Sequence, residues 1–273
     1  MATFTIRVLD TWVAIDAAAP LNEVLSDRLA DLTVSAAVGD HGAAVHRIDW
    51  AVGDDGRWLL SLDGDGYVAA DDTAGVLAET LIAINRWAAA SVASTAAPLH
   101  AGVFAVDGRA VALVGRSGAG KSTLLAAAVQ AGHEFVAEEV AAVTVAAEVR
   151  RYPRPIGLRA NGAAAIGIEV PGGAAGGFGT VYPWRPPSGR STATVPLVLI
   201  ALVNRRPGPT QICPIRPADG LRRLTDLTIG GGDGTELFRR LDQLVRTVEV
   251  VEMAFEDTRG AADALALRAR AGL

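Results

Sequence analysis

The stretch V-A-L-V-G-R-S-G-A-G-K-S-T, residues 111–123, combines three local patterns in a fixed order. Residues 110–114 are apolar and rich in valine, a composition typical of a buried strand. The motif Gly-x-x-x-x-Gly-Lys-Ser follows at 115–122 and is a complete phosphate-binding loop sequence. Residues 124–130 then have the composition of a helix. A strand before the loop and a helix after it are the context in which this motif predicts a polyphosphate site.

The chemistry of polyphosphate binding gives each residue type in this loop a task. Glycines at 115, 118 and 120 let the backbone curl and direct its N–H groups inward, and the helix N-terminus adds partial positive charge. Lys121 is placed to reach the β- and γ-phosphates, and the Ser122 hydroxyl to ligate Mg²⁺. The motif therefore predicts ATP or GTP, with Mg²⁺, as cofactors. The residues predicted to hold the nucleotide are Gly115, Ser117, Gly118, Ala119, Gly120, Lys121, Ser122 and Thr123.

Composition restricts the class of protein. The chain has 273 residues, which suits one large domain or two unequal ones, and 50% of them are hydrophobic. Its net charge of −5 argues against a general nucleic-acid binder. No apolar run reaches the ~18 residues of a membrane helix, and residues 1–7 lack the pattern of a secretory signal. The single cysteine, Cys213, excludes an internal disulfide, and no cysteine or histidine pair suggests zinc. We therefore expect a cytoplasmic protein that binds neither membranes nor nucleic acid.

Residues 1–95 form the first of two predicted domains, a small β-rich unit that one helix closes. The helix is predicted over 74–91, where Leu77, Leu81 and Ile84 recur at helical spacing. Strands are predicted at 3–8, 12–15, 46–52, 57–62 and 67–69. No motif in this unit suggests catalysis.

The second predicted domain, residues 96–273, contains the phosphate-binding loop. A hairpin leads into the loop, because a strand at 98–106 and a strand at 109–114 flank the turn sequence Asp-Gly. This approach is unusual, since the strand before such a loop commonly begins a parallel sheet. The glycine- and proline-rich segment 171–190 is predicted to be a long loop that closes over the substrate. Further strands are predicted at 136–137, 142–149, 195–203 and 247–255, and helices at 236–245 and 261–270.

Two adjacent acids, Glu138 and Glu139, follow an apolar strand shortly after the loop. A nucleotide site of this kind needs an acidic group to hold Mg²⁺. Because neighbouring strand residues point to opposite faces, the strand must end or bulge here for both acids to face the nucleotide. Glu139 is predicted near the metal with Ser122, and Glu138 as the general base that polarises an acceptor hydroxyl, with the reverse assignment left open. A solvated acidic pair in a turn is the structural alternative.

His100 and a group of arginines complete the candidate residues. His100 is predicted to orient the acceptor or the γ-phosphate, and a packed or surface histidine is the alternative. Arginines can stabilise the charge that develops on a transferring phosphoryl group, and for each of them a solvated basic face is the alternative. The arginines concerned are Arg151, Arg154, Arg159, Arg185 and Arg190. The predicted catalytic set is His100, Lys121, Glu138 and Glu139.

The residues singled out so far belong to a longer pattern that resembles a known family. The segments are His100-Ala-Gly-Val, Gly115-Arg-Ser-Gly-Ala-Gly-Lys-Ser, Gly132-His-Glu-Phe-Val-Ala-Glu-Glu and Pro153-Arg-Pro. They resemble the catalytic domain of HPr serine kinase/phosphorylase, and more closely the shorter HPr-kinase-like proteins of bacterial gene clusters, some of which serve modified-peptide biosynthesis. The likeness covers residues 98–160 well and the rest of the chain loosely.

The resemblance implies a fold and a set of roles. The fold implied is α/β, a P-loop NTPase of the HPr kinase and phosphoenolpyruvate-carboxykinase-like type, here with a small α+β N-terminal domain. A hairpin before the loop is a feature of that fold. In the family a histidine, the loop lysine and serine and two consecutive aspartates form the site. The positions that match them here are His100, Lys121, Ser122, Glu138 and Glu139.

Three features depart from the family pattern. The two acids are glutamates, one methylene longer than aspartates, so the metal or the base must sit differently. Residues 156–168 contain no counterpart of the family's glutamate-containing signature, which argues against the reverse reaction, phosphorolysis of phosphoserine. The N-terminal unit does not resemble the usual N-terminal domain of HPr kinases, which argues against HPr itself as the substrate.

These observations favour an ATP- or GTP-dependent kinase that phosphorylates a hydroxyl, with a serine of a peptide or protein as the acceptor. A kinase for a small molecule, such as an amino acid or a sugar, fits the same residues. A nucleotide-binding regulatory module without catalysis is the third interpretation. Family members often assemble, so a homo-oligomer is compatible with each of them.

Overall fold

The computed structural model describes residues 2–33, 45–169, 174–176, 179–186, 193–230 and 233–271 and shows a mixed α/β protein. Three sheets are formed within these residues, of five, eight and three strands. The helices lie between the strands and after the last strand, so helical and strand segments are interleaved along the chain.

The first sheet is built from the N-terminal part of the chain. Its strands follow the order β1-β2-β3-β4-β5, and only the β2–β3 pair is parallel. Helix α2 packs against this sheet, and its N-terminus is capped by Asp72, whose side chain accepts a 2.7 Å hydrogen bond from the backbone N–H of Gly75. The elements are β1 (Ala2–Val8), β2 (Thr11–Ala17), α1 (Leu21–Arg28), β3 (Val45–Val52), β4 (Trp58–Leu62), β5 (Asp65–Ala70) and α2 (Thr73–Val92).

The eight-stranded sheet follows the order β10-β9-β6-β7-β14-β16-β15, with β8 also paired to β6. Strand β6 pairs with β7 as an antiparallel hairpin, and β7 then pairs in parallel with β14, so the predicted hairpin before the loop is confirmed. Strand β10 also pairs with β14, which closes part of the sheet on itself. The strands are β6 (Ala96–Val106), β7 (Arg109–Val114), β8 (Glu134–Ala137), β9 (Val140–Thr144), β10 (Glu148–Arg150), β14 (Thr194–Arg205), β15 (Gln211–Pro214) and β16 (Glu249–Phe255).

Helices cover this sheet and bury its valine-rich strands. Helices α3 and α7 pack against each other over β6 and β7, and helices α5 and α6 pack against each other beside β16. One cluster of buried apolar side chains joins Trp50 and Ile84 of the N-terminal part to Leu99 and Val143 of the larger sheet. The helices are α3 (Lys121–Gln130), α4 (Ala160–Ala165), α5 (Pro217–Thr225), α6 (Gly234–Thr247) and α7 (Thr258–Ala271).

Two of the segments assigned from the sequence have a different structure. The single strand expected at 142–149 is a hairpin of β9 and β10, because Ala147 takes a φ of 56° and its N–H bonds to the carbonyl of Thr144. The predicted loop at 171–190 contains two strands, β12 (Ala174–Gly176) and β13 (Gly179–Trp184), which form the third sheet with β11 (Ile156–Arg159). Pairing with β11 supplies the order that local composition did not predict. Residues 171–173, 177–178 and 187–190, Arg190 among them, lie outside the described residues.

Among the described residues, none of the helices combines the length and the apolar composition that crossing a bilayer requires.

Candidate functional site

The phosphate-binding loop connects β7 to α3, and its three glycines have different tasks. Gly118 and Gly120 take φ values of 84° and 95°, a left-handed conformation that favours glycine. Gly115 is needed for space, since a Cβ there would lie 2.8 Å from the carbonyl oxygen of Val203. The neighbouring strand also fixes the loop, because the N–H of Arg205 bonds to the carbonyl of Ala119 at 3.1 Å. The curl expected from the sequence is present in the backbone.

Lys121 is the first residue of α3 and turns its side chain back into the loop. Its Nζ donates to the carbonyl oxygens of Gly115 at 2.8 Å and Arg116 at 3.4 Å. Only 7% of the residue is exposed, and this burial lowers the pKa of the ammonium group against the opposing effect of Glu139 and Glu138. A buried cation held by carbonyls alone is well placed to exchange them for phosphate oxygens.

The two acids lie in a sharp turn between β8 and β9. Strand β8 ends at Ala137, and the N–H of Val140 donates to the carbonyl of Glu138 at 2.9 Å. Glu139, between them, takes a φ of 67°, so the three residues form a γ-turn with a strained central residue. Both β8 and β9 pair with β6, and the turn interrupts that pairing. The predicted interruption of the strand is confirmed.

Glu138 is buried against the start of α3. Its Oε1 accepts a 2.6 Å hydrogen bond from Ser122 Oγ, and only 1% of the residue is exposed. Burial, together with the charge of Glu139, raises the pKa of Glu138 to about 7 against the opposing effects of Arg154, Ser122 and Lys121. Gly102 on β6 leaves room for this carboxylate, because a Cβ there would lie 2.9 Å from Glu138 Oε2.

Glu139 points to a different partner. Its Oε2 lies 2.9 Å from Nδ1 of His100, and its Oε1 lies 3.8 Å from a guanidinium nitrogen of Arg154. Burial opposes ionisation of Glu139, but the hydrogen bond from His100 and the charges of Arg154, His100 and Lys121 outweigh it, so its pKa is lowered. The two adjacent acids are therefore pushed in opposite directions, one toward the neutral form and one toward the charged form.

Two of the arginines predicted from the sequence, Arg154 and Arg159, lie in the site, and two others bond to residues elsewhere. Arg154 is 4% exposed and also donates from Nε to the carbonyl of Glu138 at 3.4 Å. Arg159 lies beside the loop and donates to Ser117 Oγ at 3.4 Å. Arg151 pairs with Glu134, and Arg185 pairs with Asp31, so both are engaged elsewhere.

One cavity of about 680 Å³, within the size range of ligand sites, is lined by residues of the loop and by His100, Glu139, Arg154 and Arg159. Glu138 is connected to it through its hydrogen bond to the lining residue Ser122. The loop, the acid turn and His100 form its polar side. Arg205, at the end of β14, also lines the cavity, and the sequence analysis missed it because its place depends on a strand pairing.

Helix α2 of the N-terminal part also lines this cavity, although no motif there suggested a role in the site. The only signal available in the sequence is that α2 is apolar around more of its circumference than a helix covering one sheet requires. Its lining residues are Ala74, Leu77, Ala78, Glu79, Leu81, Ile82 and Asn85.

The residues present fit a Mg²⁺–nucleotide. Ser122 Oγ and the Glu138 carboxylate bring oxygen donors, which Mg²⁺ prefers, to the N-terminal end of α3. Within the described parts of the chain, no group of three or more His, Cys, Asp or Glu side chains could hold a metal by itself. A site with two protein ligands is what Mg²⁺ uses when substrate phosphates and water complete its coordination.

Comparison with models of known protein families and with curated protein sequences finds no match for this chain.

Proposed function

We propose that this protein is a nucleotide-dependent kinase that transfers the γ-phosphoryl group of ATP or GTP to a hydroxyl, most simply a serine of a peptide or protein. The observation that carries the proposal is the position of the acids. Glu138 is bonded to the loop serine, and Glu139 is paired with a histidine in the same cavity. A loop that only bound nucleotide would not need a second, separately paired carboxylate at this point.

The contacts favour the reverse of the role assignment made from the sequence. Glu138 is the acid beside Ser122, so these two residues would hold Mg²⁺. Glu139 faces His100 and the open cavity, so it is the residue placed to accept a proton from the acceptor. Glutamate in place of aspartate suits this arrangement, because the longer side chains let two consecutive residues reach different partners from one turn.

The proposed reaction forms a bond between the acceptor oxygen and the γ-phosphorus and breaks the bond from that phosphorus to the β–γ bridging oxygen. Bound Mg²⁺–nucleotide supplies the phosphoryl group and neutralises part of its charge. Glu139 accepts the hydrogen bond of the acceptor hydroxyl and takes its proton, with His100 holding the carboxylate in place. Lys121, Arg154 and Arg159 supply positive charge around the transferring group.

The resemblance to HPr-kinase-like proteins supports this proposal, and with it the P-loop NTPase fold of the HPr kinase and phosphoenolpyruvate-carboxykinase-like type. The order of strands around the loop is compatible with that fold, because an antiparallel hairpin precedes the loop. A cytoplasmic location and assembly into a homo-oligomer belong to the same proposal. The division into domains at residues 95–96, between α2 and β6, also stays a prediction.

A transfer assay with γ-labelled ATP or GTP, Mg²⁺ and panels of serine peptides, free amino acids and sugars tests the proposal. We expect labelled product with wild-type protein, and loss of at least a hundredfold in rate with Lys121→Ala or Glu139→Gln. Unchanged transfer in either variant would show that the assignment is wrong. Tight nucleotide binding without transfer to any acceptor would instead support a regulatory module, and transfer only to free amino acids or sugars would identify a small-molecule kinase.

A further inference from the structure

The wall that α2 contributes to the cavity has a regular composition. Six of its seven residues occur at spacings of three and four, so they form one face of the helix, and Glu79 lines the cavity at the edge of that face, one turn before Ile82. Five of the six residues on this face are alanine, leucine or isoleucine, and the sixth is Asn85. The polar groups of the loop and the acid turn thus share the cavity with an aliphatic surface that Glu79 borders, which we call the α2 stripe: Ala74, Leu77, Ala78, Leu81 and Ile82.

The α2 stripe lies on the acceptor side of the cavity. Asn85, one turn beyond Leu81, accepts a 3.0 Å hydrogen bond from the hydroxyl of Tyr152. The backbone N–H of Tyr152 bonds to Val136, just before the acid turn. Helix α2 also packs against β6, which contains His100, and against β9, which follows Glu139. The Asn85–Tyr152 hydrogen bond and the packing of α2 therefore connect the stripe to the part of the sheet that carries the Glu139–His100 pair. Gly120 of the loop, in contrast, lies against Arg205 and Phe255.

The stripe is not confined to the interior. Leu77 and Leu81 are 4% and 9% exposed, while Ile82, on the same face, is 54% exposed. The apolar surface thus continues from the cavity to the outside of the protein. A small acceptor enclosed in the cavity would leave Ile82 in water, whereas a chain that runs out of the cavity would cover it. The stripe favours an extended acceptor.

We propose that the α2 stripe binds a large aliphatic side chain that neighbours the phosphorylated residue, so that the acceptor is a peptide segment with a leucine-, isoleucine- or valine-type residue beside its serine or threonine. This inference rests on the kinase function proposed above. It gives the N-terminal part of the chain a task, because α2 would then set the specificity for the acceptor while the larger sheet carries the chemistry.

Two sets of short serine peptides test the proposal, identical except for leucine or lysine beside the serine. Transfer from γ-labelled ATP is measured, and binding of fluorescent peptides to the protein with ADP and Mg²⁺ is measured in parallel. We expect wild-type protein to prefer the leucine peptides by at least about tenfold in kcat/KM or in affinity. Ile82→Ser should reduce that preference about five- to tenfold, the value expected for losing part of an aliphatic contact.

Leu267→Ser is the matched control, because Leu267 is an exposed aliphatic residue of another helix, 65% exposed and outside the cavity lining. It should leave the preference as in wild type. An equal response to leucine and lysine peptides, no response to any peptide, or the same preference in Ile82→Ser would overturn the inference. Failure of the kinase proposal would give a different result. In that case Lys121→Ala would still transfer phosphate, although it lacks the loop lysine.

Discussion

His100 and Glu139 meet with 2.9 Å between Nδ1 and Oε2, although His100 lies on β6 and Glu139 occupies the strained turn between β8 and β9. His100 sits opposite Val140 in the β6–β9 register, so the antiparallel pairing places its side chain beside the residue before Val140. The register of β6 against β9 therefore creates this contact. The contact in turn holds in place the Glu139 carboxylate, which faces the cavity.

The first prediction concerns that contact. Replacing His100 by alanine should lower the rate of phosphoryl transfer by about ten- to hundredfold, because Glu139 loses the group that orients it while the loop keeps its nucleotide contacts. Steady-state kinetics and nucleotide binding by calorimetry check this. A variant that loses nucleotide affinity instead would place His100 in the nucleotide site.

The second prediction concerns Gly102. Alanine there should destabilise the protein by about 1–3 kcal/mol, because its Cβ would lie 2.9 Å from Glu138 Oε2 and 3.0 Å from Leu125 Cδ2. Chemical denaturation measures the loss. Gly234→Ala is the control, since a Cβ at position 234 meets nothing within 4 Å and its φ is not positive. Equal stability of the two variants would contradict the packing argument.

The third prediction concerns the backbone of Glu139. Asparagine tolerates a positive φ better than glutamine, and both remove the charge. Glu139→Asn should therefore be more stable than Glu139→Gln by about 0.5–1 kcal/mol, while both lose activity. Thermal unfolding of the pair in a His100→Ala background, where neither side chain can bond to the histidine, isolates the backbone effect. If Glu139→Gln proves to be the more stable variant, the turn is not strained.

The fourth prediction concerns the link between α2 and the acid turn. Tyr152 is fully buried, and its hydroxyl donates to Asn85 Oδ1. Tyr152→Phe should destabilise the protein by about 1 kcal/mol. In a double-mutant cycle with Asn85→Ala, the second substitution should lower the free energy of unfolding by less when the first is already present. Strict additivity of the two effects would mean that the hydrogen bond contributes nothing.

The fifth prediction is a pH dependence of stability in metal- and nucleotide-free protein. The pKa of Glu138 is raised from an ordinary 4.5 to about 7, so between these values the folded protein binds more protons than the unfolded chain. Stability should therefore fall as pH rises from 5 to 8. Glu138→Gln cannot titrate, so its stability should fall less over the same range. Parallel curves for wild type and variant, measured by urea denaturation, would rule out the raised pKa.

Local sequence patterns predicted a large part of the fold. The strand, loop and helix at 109–130 are present because a valine run, a glycine-rich turn and a helical segment each specify their own geometry over a few residues. The break in the strand at Glu138 followed from a short argument as well, since two consecutive strand residues cannot both face one ligand.

Other elements could not be predicted because they depend on distant partners. Strand β13 forms against β11, more than twenty residues earlier, in a segment whose glycines and prolines suggest a loop. Helix α1 lies in a stretch with a weak apolar pattern, and its buried residues are only Leu21 and Leu25. Short-range composition carries no information about such pairings.

The sequence by itself determined that a glycine-rich loop with the phosphate-binding sequence is present, with two acids and a histidine within reach of the same sheet. The tertiary structure alone decided which acid meets Ser122 and which meets His100, and that α2 from the N-terminal part walls the cavity. The physical reason is the distance along the sequence between the residues that interact. A loop motif is encoded by the φ values and hydrogen bonds of adjacent residues, whereas a contact between β6, β8 and α2 is encoded by the packing of the whole core.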